Sequence, residues 1–274
     1  MANTNGGQKL AAPAVRARKG SGEALVMVTA YDAPSARAAA AAGVDLILVG
    51  DSLGMVVLGY ADTLQVTMDD MVCHTAAVAR TAPPQLVISD MPWTSYHAGA
   101  AKAVENAARL VRAGAGAVKL EGGVKRLDAI RALLDAEIPV MGHVGLTPQS
   151  LHAMGGYRVQ GRAPSEAKLL IEDAIAITEA GCFALVLEGI PQELASEITT
   201  VVSVPTFGIG AGPGCDGQVL VFHDIVGLSG PRVPRFARRY ADLEAEAAAA
   251  VAQWATDVRE GRFPTAGETY TIQT

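Results

Sequence analysis

Four acidic residues each stand at or just past the end of an apolar run: Asp51 after VDLILVG, Asp90 in QLVISD, Glu121 in GAVKLEG and Glu188 in FALVLEG. A carboxylate in such a place is commonly the N-cap of the next helix, accepting a bond from a free backbone N–H. Four of them ending four buried runs allow a second reading. Brought together, they would repel one another and resist ionising unless a cation sat among them. An all-oxygen donor set suits a hard ion, and Mg2+ needs only one or two carboxylates, with water and substrate oxygens completing its octahedron. Lys119 lies two residues before Glu121, so the period of a strand puts both on one face. There it is either half of a structural ion pair or an anchor for a substrate carboxylate. His143, in HVGLTPQS, is either a structural histidine or a catalyst, and GIGAGPG at 208–214 is either a phosphate cradle or a tight loop. No Ser-His-Asp order and no P-loop is present.

To act together, these residues need a fold in which the ends of the apolar runs converge. Eight such runs, at 25–30, 44–50, 85–90, 116–122, 139–145, 183–189, 204–210 and 218–224, are closed by Gly, Asp or Pro. Several are continuous Leu- and Val-rich stretches, as expected of parallel strands covered on both sides. Ala-rich helical segments separate them, and several end in Ala-Gly, a helix C-terminal signal. The alternation predicts an α/β fold, a closed (β/α)8 TIM barrel, with a doubly wound open sheet as the alternative. In a parallel barrel the βα loops form the active-site face, so strand-end acids become a constellation. The stretch 236–264 reads as one or two additional C-terminal helices packed outside the barrel. Residues 1–22 read as an N-terminal lead-in whose Arg16, Arg18 and Lys19 are solvated, and 23–274 as a single catalytic barrel domain.

The length of 274 residues suits one such barrel. A net charge of −6 argues against a nucleic-acid partner, because phosphate contacts need clustered Lys and Arg. A small anion still binds where a metal or a lysine reverses the local sign. Cys73, Cys182 and Cys215 are too few and too scattered for a disulfide framework or a zinc site. No apolar run approaches the ~20 residues of a membrane span, and the first residues lack the apolar core of a secretory signal. No membrane association and a cytoplasmic location are the expectation.

A set of motifs in unbroken order resembles one family. They are TAYDAPSA at 29–36, LVGDSLGMVVLGY at 48–60, SDMPW at 89–93, ENAARLVRAGAGAVKLEGG at 105–123 and GHVGLTPQS at 142–150. They continue with GGYRVQGR at 155–162, LVLEGIP at 185–191, FGIGAG at 207–212 and DGQVLVFHD at 216–224. Over residues 23–265 the chain resembles the 3-methyl-2-oxobutanoate hydroxymethyltransferases, also called ketopantoate hydroxymethyltransferases. The resemblance implies a barrel of the phosphoenolpyruvate/pyruvate type. It implies transfer of a hydroxymethyl group from 5,10-methylenetetrahydrofolate to 3-methyl-2-oxobutanoate, giving 2-dehydropantoate for pantothenate biosynthesis, with Mg2+ required. Carried over by motif, it makes Asp51, Asp90 and Glu121 metal ligands, and Ser52, Lys119, Asp51 and Asp90 contacts to the keto acid. Glu188 becomes the general base, and His143 and Tyr31 keep secondary roles. It also implies a homo-oligomer, a decamer. A Mg2+-dependent lyase or mutase of the same barrel superfamily, and a non-catalytic anion-binding barrel, are the competing readings.

Overall fold

Eight parallel strands, paired in chain order with the last returning to the first, form a closed barrel in the computed structural model. Residues 10–230 and 233–272 are described; the first nine residues of the expected lead-in lie outside the described residues. The chain passes through α1 (Ala12–Arg16), β1 (Leu25–Thr29), α2 (Ala33–Ala41), β2 (Leu46–Val49), α3 (Leu53–Val56), α4 (Met68–Ala79) and β3 (Leu86–Asp90). It continues with α5 (Ala100–Arg112), β4 (Ala117–Lys119), α6 (Leu127–Asp135), β5 (Val140–Gly145), α7 (Leu151–Met154) and α8 (Pro164–Glu179). β6 (Ala184–Glu188), α9 (Gln192–Val201), β7 (Thr206–Ile209), β8 (Gly217–Leu220), α10 (Phe222–Val226) and α11 (Leu243–Arg259) complete it. Closure removes the open-sheet alternative.

Local sequence explains most of these elements. Asp32 caps α2 by accepting from Ser35 N at 2.8 Å, while the Ser35 hydroxyl returns to Asp32 N. Thr67 and Asp70 make the same reciprocal box at the start of α4. The crossover helices bury narrow stripes, such as Ala103, Asn106, Ala107 and Leu110 on α5, spaced at i, i+3, i+4 and i+7. The expected Ala-Gly stops hold at Ala113-Gly114 and Ala180-Gly181.

Three expectations need correcting. The run 218–224 is strand only as far as Leu220, and Phe222–Val226 is the helix α10; the Phe222 N–H instead bonds the Thr29 hydroxyl at 2.9 Å. Glu121 does not close a strand, because β4 stops at Lys119. The described part of the lead-in is not solvated throughout. α1 buries Ala12 and Val15 in the same apolar cluster as the barrel residues Met27, Leu48, Ile88 and Met141, and Lys19 Nζ reaches Asp216 Oδ2 at 2.8 Å and Thr199 O at 2.6 Å. The physical reason is that the lower end of a barrel exposes apolar side chains, and a short helix with two apolar positions is enough to cover them.

Inside the barrel, side chains two residues apart share the inner face. That places Ile88, Ala117, Met141 and Val186 in the core cluster. The next position on each strand is Asp90, Lys119, His143 and Glu188. By contact density the chain divides into two compact units, Met1–Phe222 and His223–Thr274. In the second, α11 is one helix, capped by Asp242 on Ala245 N, with none of its own residues buried. Among the described residues no helix is long and apolar enough to cross a membrane.

Candidate active site

None of the four acids caps a helix. The N-caps of α3, α5, α6 and α9 are Ser52, Gly99, Arg126 and Pro191. The acids meet across the C-terminal mouth of the barrel instead. Asp90 Oδ2 accepts the backbone N–H of Asp51 at 3.0 Å. That approach depends on Gly50, where a Cβ would lie 2.9 Å from Ser52 Oγ and 3.5 Å from Asp90 Oδ2. Strand register sets Lys119 directly beside Asp90, and Lys119 Nζ lies 3.1 Å from Asp90 Oδ1 and 4.0 Å from Glu121 Oε1.

His143 continues the chain of contacts. Its Nδ1 is 3.3 Å from Lys119 Nζ and 3.5 Å from Glu121 Oε1, and its Nε2 is 3.3 Å from Glu188 Oε2. Asp51, Asp90, Lys119, Glu121 and His143 are all buried, whereas the Glu188 side chain keeps 16% of its surface. Glu188 is therefore the acid most open to an incoming molecule.

Burial decides the electrostatics. It pushes the Asp51 carboxyl well above the usual carboxylate range, and the neighbouring charges of Asp90 and Glu121 push it further. Asp90 is also raised by burial, in spite of Lys119 and the Asp51 N–H. Burial opposes the charge on Lys119 too, but the carboxylates of Asp90, Glu121 and Asp51 outweigh it and hold the ammonium protonated. Glu121 is pulled below its ordinary value, because bonds from His143 and the charge of Lys119 overcome its burial. His143, against its burial and against Lys119, is raised to about 9 by Glu121 and Glu188. Lys119 and His143 thus face a cluster of four acids, Asp51, Asp90, Glu121 and Glu188.

Sequence reasoning passed over two side chains. Gln149 donates through Nε2 to Asp51 Oδ2 at 2.8 Å and to Met91 O at 2.9 Å, while its backbone N–H donates to Glu121 Oε2 at 3.0 Å. Tyr96 donates to Gln149 Oε1 at 2.6 Å and accepts the Glu121 N–H at 3.2 Å. Gln149 was visible in the motif GHVGLTPQS as a polar residue just past a buried strand; Tyr96 carried no such signal. Tyr31 pairs its hydroxyl with Ser52 Oγ at 2.8 Å, orienting the serine beside Asp51.

The donor set suits a divalent cation. Among the described residues no three His, Cys, Asp or Glu side chains are gathered closely enough to enclose an ion alone. Asp51 and Asp90, however, form a pair of under-neutralised carboxylates, and Asp90 Oδ1 is buried with no hydrogen bond, Lys119 being near but poorly aligned. Mg2+ keeps several waters and asks for only one or two carboxylates. Glu121 is already engaged by Gln149, His143 and Lys119, which suits contact with such an ion through water.

GIGAGPG settles as a packed turn. A Cβ at Gly212 would meet Gln192, and one at Gly214 would meet Ser196, so the loop lies tight against α9.

Relatives place this geometry. Solved structures of similar fold include 2,3-dimethylmalate lyase, of the PEP mutase/isocitrate lyase superfamily, at TM-score 0.60 and 21% identity, covering 94% of this chain and 91% of that one. Another is phosphonopyruvate hydrolase in complex with oxalate and Mg++, at TM-score 0.60 and 16% identity, covering 95% and 92%. At such identities the likeness is one of fold. Much nearer in sequence are the 3-methyl-2-oxobutanoate hydroxymethyltransferases of Geobacter sulfurreducens, 52% identical over 93% of this chain and 96% of that protein, and of Ignicoccus hospitalis, 56% identical over 91% and 94%. The ketopantoate hydroxymethyltransferase profile matches residues 9–266, beginning before the motifs quoted above and taking in α1. The chain belongs to the ketopantoate hydroxymethyltransferase family and is an enzyme of that kind.

Proposed function

We propose that the enzyme transfers the one-carbon unit of 5,10-methylenetetrahydrofolate to C3 of 3-methyl-2-oxobutanoate, giving 2-dehydropantoate for pantothenate biosynthesis. Glu188 is the base, and Asp51 and Asp90 hold Mg2+, with Glu121 acting through water. The observation that carries this reading is the gradient across the mouth. Two buried, under-neutralised carboxylates lie at one end and a single more open carboxylate at the other, with Lys119 and His143 between them.

The proton on the carbon beside a ketone is too weakly acidic for a free carboxylate to remove efficiently. A Mg2+ held by Asp51 and Asp90 would supply Lewis-acid stabilisation of the negative charge that grows on the substrate. Lys119 Nζ and Ser52 Oγ hold the substrate carboxylate, so that C3–H is turned toward Glu188. His143 Nε2, 3.3 Å from Glu188 Oε2, positions the partly open carboxylate that takes the proton. Water releases the methylene from both folate nitrogens, breaking two C–N bonds to give tetrahydrofolate and formaldehyde. The enolate carbon adds to the formaldehyde carbonyl in an aldol-type addition whose protonated oxygen becomes the hydroxyl. Homo-oligomerisation belongs to the same reading and is measured by sedimentation.

Proton exchange tests the base without the folate. Incubated in D2O with Mg2+ and 3-methyl-2-oxobutanoate alone, the enzyme exchanges the C3 proton, followed by NMR. A Mg2+-dependent lyase would instead cleave a keto acid without folate, and a non-catalytic barrel would exchange nothing. An undiminished exchange rate in Glu188→Gln would sink the assignment of the base.

A further inference from the structure

The segment that follows Gln149 crosses the mouth of the barrel, and the proton-transfer chemistry leaves it unused. Gln149 fixes one end, through Asp51 and Glu121. Gln160 fixes the other, its backbone N–H donating to Gly189 O at 2.9 Å, one residue past Glu188. Between these anchors Gly155 and Gly156, at φ of 69° and 117°, turn the chain out of α7 with a backbone that other residues adopt at a cost. Tyr157 comes next. Its hydroxyl reaches Met55 Sδ at 3.6 Å, four residues beyond Asp51. The ring thus joins the loop of the acid pair to the segment tied beside the base.

Tyr157 is 51% exposed, and Met55 and Val159 are each 41% exposed. Partial burial raises the phenol, as do the charges of Asp62, Glu188, Asp51 and Glu121, so the ring lies within electrostatic reach of the catalytic acids. An exposed aromatic ring beside a polarizable thioether, near the charged groups of the barrel mouth, suits a flat heteroaromatic group.

We propose that Tyr157, with Met55 beside it, is the platform on which the pterin ring of the one-carbon donor stacks. This rests on the hydroxymethyl-transfer reading above. The donor carbon is attached to nitrogens of the folate and must reach the substrate carbon that Glu188 deprotonates, so the ring has to lie over this mouth. Tyr157 is the aromatic side chain whose hydroxyl bridges to the Asp51 loop there. Its hydroxyl is dispensable on this account, and its ring is not.

Two variants and two readouts test it. Tyr157→Ala should raise KM for 5,10-methylenetetrahydrofolate by about tenfold to a hundredfold, the range of a lost aromatic stack. KM for the keto acid, and folate-free deuterium exchange, should stay within about twofold of the parent, which also shows that the variant is folded. Tyr157→Phe should keep the parent folate KM. An unchanged folate KM in Tyr157→Ala overturns the platform, and so does a fall in exchange matching the fall in turnover, since the residue would then serve the keto acid. Absence of exchange in the parent enzyme overturns the underlying reading instead, so the two failures are told apart.

Discussion

Within two residues of strand the inside of this barrel changes character. Ile88, Ala117, Met141 and Val186 belong to an apolar cluster sealed by Ala12 and Val15 of α1, and the next inward positions are Asp90, Lys119, His143 and Glu188. The lower layers gain stability from every side chain they bury, at about 25 cal/mol per Å2 of apolar surface. In the upper layer burial works against the acids, holding Asp51 and Asp90 above the usual carboxylate range. The same strands therefore carry two regimes. One end holds the fold together, and the other holds charged groups close together out of water, at a cost that burial imposes.

Mutations should separate the two ends. The largest effect expected is at the top: Glu188→Gln lowers proton exchange and turnover by about a hundredfold to ten-thousandfold, while the thermal midpoint moves by less than a few degrees. A variant that unfolds would make Glu188 part of the frame. The mirror case is Phe207→Ala in the fully buried layer, which should cost about 3–5 kcal/mol in denaturant titration and leave kcat of the folded protein unchanged. Lys19→Met should cost about 1–3 kcal/mol, because Asp216 loses its ammonium partner at 2.8 Å and keeps only the neutral donors of Thr206, again with unaltered KM.

Asp51→Asn should move the other way. Removing one of the crowded negative charges should stabilise the metal-free protein by about 0.5–2 kcal/mol while Mg2+ binding, measured by calorimetry, is lost. A destabilised variant, or one with unchanged Mg2+ affinity, would contradict the division between the ends. The smallest effect is chemical. Cys182, whose thiol burial pushes up to about 12, should resist iodoacetamide in the native protein, while the exposed Cys73 reacts; equal rates would mean that the lower end opens readily.

The strand count, the alternation and the helix stops were legible because each is a local pattern: apolar runs, Ala-Gly ends, capping pairs. Asp90 and Glu188 were legible as strand ends, whereas Asp51 and Glu121 stand two residues past theirs. Their neutral alternative, helix capping, gave way only once Ser52, Gly99, Arg126 and Pro191 were seen at the caps. α1 was misread because five residues carry too little periodicity to distinguish a plug from a tail. β8 ends earlier than the run 218–224 suggests, because VLVF stays apolar across the change from strand to helix and no Gly or Pro marks it. Gln149 was missed because nothing in its neighbourhood says that its side chain reaches a residue 98 positions away.

By itself, the sequence determined the two-residue spacing from core to chemistry, in Ile-x-Asp at 88–90, Ala-x-Lys at 117–119, Met-x-His at 141–143 and Val-x-Glu at 186–188. That spacing needs only the pleat of a strand. The tertiary structure decided which of these groups touch. Closure and register place Lys119 beside Asp90 and set His143 between Glu121 and Glu188. Those contacts join residues far apart in the chain, and only the stagger of neighbouring strands around a closed barrel fixes their distances.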